Sequence, residues 1–418
     1  MDALINLYLI DMSHANTTSG VDRYIGTLIH GLQDYPHIRI YWIHLVYDTQ
    51  QLFLKEEQEG TCLKYTIPLP QQYNSIIAQR FWIRRYNEQV YRLISHLFQH
   101  KQPSIVHIHT LNLIDLAILL REKTECRIIT HLHCIPWKGL YNRDKKRFNQ
   151  LYQQTYITTQ HQSIPPEAYL TNNCELDAYQ TPDALICVTQ CAVSFLQQCI
   201  RTFTHRTIVI SNGIDDAYSH QILRSHKSCS DIFHCIFVGV ANESKGISYI
   251  LEAINKVQLQ GYRLTLTMAG SCSETLRKRI KHDYPNLEVN IMGCISFEQL
   301  KTLYQNSDIG LIGSLQEQAS YAAIEMAMFG LPIVTTAVDG LDEIFTDEVN
   351  ALKVNTKFSF TEGLSVDIDM MSRQIIRLIE EPHLRSRLSQ NVRQLYQKDL
   401  RSEIMVKKTV EFYGMIIS

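Results

Sequence analysis

The sequence predicts two α/β domains, each built on a doubly wound parallel sheet, and three observations carry that expectation. Its 418 residues are too many for one ordinary core and suit two domains. Short apolar runs alternate with stretches of helical periodicity along most of the chain. Several of those runs stop at a glycine or a histidine, at the strand ends where parallel sheets collect ligands.

The first apolar run, Leu4 to Ile10, gives way to the polar stretch Asp11 to Ser19 and then Gly20. Behind it, Val21, Tyr24, Ile25, Leu28 and Leu32 recur at helical spacing, and Ile38 to Val46 reads as the next strand. The alternation continues with strands at 104–109, 127–133, 184–188 and 207–210, and helices at 112–120 and from 189 onward. A polar stretch without periodicity, 218–230, reads as a linker. Beyond it, strands at 232–238, 264–269, 289–292, 309–312 and 332–335 alternate with helices at 247–257, 297–304 and 321–329. The expected boundaries are 1–217 for the first domain and 218–399 for the second, with a last helix at about 400–418 returning to the first. Two such domains would face each other across a cleft.

Composition narrows the function. Hydrophobic residues make up 45% and charged residues 20%, which is the balance of a folded globular chain. A net charge of −2 supplies no global field for nucleic acid, so no nucleic-acid partner is expected. The 11 cysteines are scattered, with no C-x-x-C pair, which fits a reducing compartment better than a disulfide framework or a zinc site. The N-terminus lacks a charged region ahead of its apolar run, and no stretch approaches the roughly 20 apolar residues that span a bilayer. A cytoplasmic location is expected, with peripheral contact at the inner membrane face as a secondary idea. That idea rests on the basic and aromatic stretch Arg80 to Phe98, which is read first as an ordinary helix packed on its sheet. Lys138 to Arg147 forms a second basic cluster, suited to an anionic acceptor or to plain solvation.

The most informative segment is Glu317-Gln318-Ala319-Ser320-Tyr321-Ala322-Ala323-Ile324-Glu325, with Gly330-Leu331-Pro332-Ile333 after it. Glu317 falls in the loop before a helix and Glu325 inside that helix, about 12 Å apart along the axis if the rise is helical. That spacing suits two contacts on one extended ligand, and is too long for two carboxylates flanking one bond. The N–H groups of Ser320 and Tyr321 sit where a helix N-terminus favours phosphate.

With its E-x7-E pair, small-residue helix and G-x-P-I step, this segment resembles the retaining glycosyltransferases of the GT-B fold, family 4. Further matches fall in the same order: Ser19-Gly20-Val21, Val106-His107-Ile108-His109, His131-Leu132-His133, Asn212-Gly213, Phe237-Val238-Gly239, Ser244-Lys245-Gly246, Met268-Ala269-Gly270, Ile291-Met292-Gly293 and Leu303-Tyr304 with Ser307-Asp308. The resemblance spans nearly the whole chain. It implies a metal-independent hexosyltransferase that takes a sugar from a nucleoside diphosphate sugar, UDP- or GDP-linked, with no further cofactor. The implied acceptor is a glycan, a lipid-linked glycan or a peptide or protein side chain.

The resemblance also assigns residues. Glu317 and His133 are the candidate catalytic groups, beside the transferred sugar. Glu325 takes the ribose, Lys245 the diphosphate, and Gly20, Gly239, Gln318, Ser320 and Tyr321 complete the substrate-binding set. Where such enzymes usually carry an arginine after the glycine of F-V-G, this chain has Val240. That departure supports the alternative, a catalytically silent relative that acts as a binding partner or scaffold.

Other polar groups have plainer readings. His107 and His109 alternate on one strand, so only one is expected to face the cleft, and both are read as structural. Asn212-Gly213 reads as a turn and hinge. Asp367-Ile368-Asp369 has a metal-binding form but precedes a helix, where an acidic pair suits the N-terminus, so no metal is expected.

Overall fold

The computed structural model describes residues 4–15, 19–47, 49–69, 79–134, 173–199, 206–216, 232–359 and 363–417. The chain divides into one unit of Met1–Asn212 with Ser402–Ser418, and a second of Gly213–Arg401. The expected linker at 218–230 and the basic cluster Lys138 to Arg147 lie wholly outside the described residues.

The first unit opens with β1 (Ile5–His14), α1 (Gly20–Leu32) and β2 (Ile38–Tyr47). A hairpin of β3 (Lys55–Glu59) and β4 (Cys62–Pro68) follows, then α2 (Gln79–Ile94). Next come β5 (Ser104–Ile108), α3 (Ile114–Thr124) and β6 (Arg127–Leu132). The series ends in α4 (Asn173–Gln180), β7 (Ala184–Cys187), α5 (Gln190–Cys199) and β8 (Arg206–Val209). These strands form one sheet in the order β3-β4-β2-β1-β5-β6-β7-β8, parallel except for the edge strand β3.

Burial explains the sequence of β1. Residues Ile5 to Ile10 are all buried because helices cover both faces, so the strand reads as a continuous apolar run. The hairpin escaped the sequence reading for the opposite reason. Its first strand, Lys-Glu-Glu-Gln-Glu, is an edge whose charges face solvent and discourage further pairing.

Helix α1 starts on a capping box: Ser19 Oγ accepts from Asp22 N–H at 3.1 Å, and Asp22 accepts from Ser19 N–H at 2.6 Å. Helix α2 packs on the sheet through Val90 and Ile94, and Tyr86 donates to the Pro68 carbonyl at 2.9 Å. Arg84, which the membrane idea would have used, is 80% exposed and lies near Glu88. Among the described residues no helix is long and apolar enough to cross a membrane.

The second unit alternates β9 (Phe233–Val238), α6 (Ile247–Leu259), β10 (Leu264–Ala269), α7 (Glu274–Asp283) and β11 (Glu288–Gly293). It continues through α8 (Phe297–Asn306), β12 (Ile309–Ile312), α9 (Tyr321–Met328), β13 (Ile333–Thr336), α10 (Asp339–Ile344) and β14 (Leu352–Val354). A small antiparallel hairpin, β15 (Thr356–Ser359) and β16 (Gly363–Val366), precedes α11 (Ile368–Glu380) and α12 (Pro382–Asp399). The main sheet is parallel, in the order β11-β10-β9-β12-β13-β14. The order reverses beside β9, between β10 and β12, the type of position where open α/β sheets bind ligands. Asp367 caps α11 by accepting from Met370 N–H at 3.0 Å, and Asp369 pairs with Lys256 at 2.7 Å, so both acidic groups of that tripeptide serve the helix end.

The final helix, α13 (Ser402–Ile417), belongs to the first unit. It lies against α1, where a Cβ on Gly31 would come within 2.5 Å of Val406. Both expected sheets are present, and the chain has the doubly wound α/β architecture that the alternation predicted.

At the carboxyl ends of β9, β10 and β12 the backbone itself is the packing surface. Gly246 has φ +67°, and a Cβ there would lie 1.8 Å from the Gly313 carbonyl oxygen. Gly270 has φ +128°, and a Cβ there would lie 2.0 Å from the Gly239 carbonyl oxygen. Only glycine satisfies both the dihedral and the approach at these two positions. Gly246→Ala is therefore expected to lower the unfolding free energy of this unit by more than about 2 kcal/mol. Urea unfolding checks this, with Gly261→Ala, which has φ +94° but nothing within 4 Å and so carries dihedral strain without a collision, as the control.

Candidate functional site

The glycine contacts bring two loops together, and with them two charged side chains that are 72 residues apart in sequence. Asn242 caps a single helical turn, Glu243–Lys245, by accepting from Lys245 N–H at 3.0 Å. Gly246 then turns the chain into α6 and leaves Lys245 on the loop. The loop after β12 carries Glu317. Lys245 Nζ donates to Glu317 Oε2 in a direct ion pair, with the two side chains 34% and 13% exposed. A half-buried pair of this kind is held less by the Coulomb term alone than by the backbone that positions both partners.

Glu317 is fixed from three further directions. Its N–H donates to Asp339 Oδ2 at 3.2 Å, its carbonyl accepts from Gly340 N–H at 2.9 Å, and Ser314 Oγ donates to Oε2 at 3.4 Å. Ser314 is itself held by Thr336, whose hydroxyl donates to the Ser314 carbonyl at 2.6 Å. Asp339 adopts φ +45°, a left-handed conformation that costs energy for a residue other than glycine. The loop around Glu317 is thus clamped by groups from the next strand and helix. Asp339, Ser314 and Thr336 were not singled out from the sequence. The signal that could have flagged Asp339 is its place in Asp-Gly, a pair prone to left-handed turns.

Ser320 is the N-cap of α9, and its hydroxyl accepts from Ala323 N–H at 3.3 Å. Tyr321 is the first residue of that helix, and Gln318 is buried in the loop before it. From Ala323 to Met328 the helix is wholly buried and apolar except for Glu325, which is 2% exposed. Glu325 Oε2 accepts from the Tyr304 hydroxyl at 2.7 Å, and Tyr304 lies at zero exposure on α8. A carboxylate in such a setting needs hydrogen-bond donors to offset its desolvation. Tyr304 falls in one of the ordered sequence matches, but its partnership with Glu325 was not legible there, because nothing in the spacing couples positions 304 and 325.

The structure therefore joins Lys245 with Glu317, and places Gly239, Gln318, Ser320, Tyr321 and Glu325 in the same unit. Gly239 follows β9 with φ +141°. Gly20 and His133 belong to the first unit. Gly20 is the exposed first residue of α1, and Val240, where the arginine would stand, is 52% exposed.

His133 follows β6 and belongs to a cluster. Its Nε2 lies 3.0 Å from His109 Nδ1, and its ring stacks on His131 with centroids 4.1 Å apart. His131 Nδ1 lies 3.3 Å from His107 Nε2, and His107 Nδ1 lies 2.7 Å from the Tyr413 hydroxyl of α13. The expectation that only one of His107 and His109 would face the ligand side is corrected. Side chains on a strand repeat every two residues, so positions 107 and 109 share a face, as do 131 and 133. Burial disfavours the charged rings and pushes the pKa values of His107 and His133 down to about 3, and those of His109 and His131 well below the usual histidine value.

With this geometry in view, comparisons with known proteins give the family. The model described as "Glycosyltransferase Family 4" matches residues 18–218, and that described as "Glycosyl transferases group 1" matches residues 222–395. The chain belongs to the glycosyltransferases of the GT-B fold. An uncharacterised glycosyltransferase of Methanocaldococcus jannaschii is 27% identical over 180 residues, which is 43% of this chain and 44% of that protein. A second from the same organism is matched over 55% of its length, so the chain spans about half the length of these curated relatives. Among solved structures, sucrose-phosphate synthase from Thermosynechococcus elongatus superposes with a TM-score of 0.72 at 16% identity, covering 98% of each chain. The Anabaena protein HepE in complex with UDP and glucose gives a TM-score of 0.65 at 13% identity, covering 97% of this chain and 99% of that one. At these identities the likeness is one of fold.

The buried Tyr304–Glu325 bond yields a stability prediction. Tyr304→Phe leaves the carboxylate short of a donor and should cost about 1–3 kcal/mol of unfolding free energy. Pairing it with Glu325→Met should recover much of that loss, because the charge that needed the donor is gone. Urea midpoints of the two variants against the parent protein measure both effects.

Proposed function

We propose that this protein transfers a glycosyl group from a nucleoside diphosphate sugar to an acceptor hydroxyl, with retention at the anomeric carbon. The observation that carries the proposal is the Lys245–Glu317 pair at the ligand-binding ends of β9 and β12. It sets a cation for a diphosphate beside a carboxylate for sugar hydroxyls, on backbone that admits no side chain in between.

In this reading the diphosphate takes the Lys245 ammonium and N–H donors at the start of α9, where the helix dipole favours negative charge. Glu317, released from Lys245, holds hydroxyls of the transferred sugar. Glu325 serves the ribose, Gln318 and Tyr321 line the donor, and Gly239 lets the backbone approach it. For the first unit, His133 is proposed to contact the sugar as a neutral imidazole, and Gly20 to admit substrate close to its backbone.

The bond from the anomeric carbon to the diphosphate oxygen breaks as the acceptor oxygen bonds to the same face of that carbon. The acceptor proton passes to the departing phosphate oxygen, so the products are a glycoside and a nucleoside diphosphate. The residues supply position and charge stabilisation, and the step itself calls on no metal. Acceptors of the glycan, lipid-linked or peptide type fit the reading equally.

The second reading is a silent relative that acts as a partner or scaffold, and Val240 favours it by leaving Lys245 without the usual companion cation. The two readings separate on whether the protein transfers or hydrolyses any nucleotide sugar.

A thermal-shift screen of UDP-, GDP- and ADP-sugars tests donor binding, and UDP-glucose is the natural first ligand because HepE was solved with UDP and glucose. A donor at about 100 times its Kd should stabilise the protein by about 2.7 kcal/mol, a rise of several degrees. With the donor found, Glu317→Ala should lower turnover about 100-fold or more while leaving the unfolding midpoint near that of the parent. Parent-like turnover in that variant removes the assignment of the site.

A further inference from the structure

The four clustered histidines are more than the transfer reading employs. Only His133 has a part in it. His107, His109 and His131 lie behind it, at 0%, 3% and 1% exposure, with one ligand nitrogen from each within 4.8 Å of the others. Two of these buried nitrogens, His109 Nε2 and His131 Nε2, have no hydrogen-bond partner among the described residues. Burial of that kind is costly for a polar atom and calls for an occupant.

From this geometry we propose that His107, His109 and His131 form a binding site for a divalent transition-metal ion, with zinc the best match. Three imidazoles on two adjacent parallel strands are a donor set that suits zinc among the metals of this series. Nitrogens bound to one tetrahedral zinc lie about 3.4 Å apart, given bonds of about 2.0–2.1 Å, so the three rings need only a modest rotation to close on an ion.

The surroundings also have the form of a metal site. The Tyr413 hydroxyl meets His107 Nδ1 at 2.7 Å, which fixes that ring and leaves its Nε2 edge toward His131. The Tyr24 ring packs edge-on against His131 with centroids 4.5 Å apart and walls the cluster off. Three protein ligands leave one coordination position for water or an anionic group. The site departs from the expectation of no metal drawn from the sequence, which considered cysteine spacing and Asp367-Ile368-Asp369 but not these rings. Among the described residues a second compact group of possible ligands, Asp11, Asp22 and His44, is largely engaged, with Asp11 Oδ2 its one buried oxygen lacking a hydrogen-bond partner. Asp11 accepts from Trp42 at 2.7 Å and lies 2.8 Å from His44, while Asp22 caps α1.

The metal proposal stands apart from sugar transfer, since an inactive protein would still bind the ion. Full-length protein is dialysed against a chelator and titrated with Co(II), reading its visible d–d absorption. The expected result is an intense, low-symmetry spectrum that saturates at one equivalent, is bleached by Zn(II), and is lost in His109→Gln and His131→Gln. Tyr413→Phe, a positioning change, should weaken binding about tenfold. If a histidine variant fails to fold, zinc-edge X-ray absorption on the parent protein decides, with imidazole scattering and no sulfur expected. An absent spectrum, which would mean that water alone fills the gap, overturns the proposal. So does sulfur ligation, or a spectrum unchanged in folded His109→Gln and His131→Gln.

Discussion

The ion pair between Lys245 and Glu317 joins the loops at the carboxyl ends of β9 and β12, and it exists because two glycine backbones touch. With a side chain at Gly246 or Gly313, the loop after β9 could not reach the loop after β12. The opposite charges would then be solvated separately, each on a mobile loop, and the site would have to be assembled on binding. Close backbone approach instead presets the main chain that carries the cation and the carboxylate, so that a ligand would have only the two side chains to part.

The same pair explains why the clamp around Glu317 is elaborate. Asp339, held in a strained left-handed conformation, and Gly340 grip its backbone from α10, while Ser314 and Thr336 hold the preceding turn from below. In the proposed reaction, a carboxylate that exchanges a lysine for sugar hydroxyls gains from a fixed main chain, because only the side chain then has to move. Glu325 is placed differently. Buried on the apolar helix α9 and met by Tyr304, it is a fixed acceptor at a helix core. Two glutamates of one sequence motif therefore occupy unlike environments, one poised and one locked.

Much of this was legible before the coordinates. Strands buried on both faces announce themselves as apolar runs, and Leu264–Ala269 and Ile309–Ile312 fall where that pattern put them. Gly239, Gly270 and Gly293 stand at the ends of β9, β10 and β11, as the sequence pattern placed them. What stayed hidden has physical reasons. The hairpin edge β3 is charged, and the helices α7 and α12 are mostly polar surface helices, so an apolar-run criterion passes over them. Tyr304, Asp339 and the partnership of Lys245 with Glu317 are long-range contacts that no local spacing encodes. The histidines were visible as residues, but their cluster required the strand period to be applied to both strands at once. His107, His109, His131 and His133 then share one face, and the deeper three bring one ligand nitrogen each within 4.8 Å of the others.

In the proposed reaction Lys245 and Glu317 neutralise each other until a donor separates them, and binding of a bare nucleoside diphosphate tests this most directly. Calorimetric titration of the nucleotide into Lys245→Ala should show weakened affinity. Titration into Glu317→Ala should show affinity equal to or tighter than that of the parent, because the ammonium no longer has a carboxylate to leave. Equal loss of nucleotide affinity in both variants, or no change in either, would contradict the account.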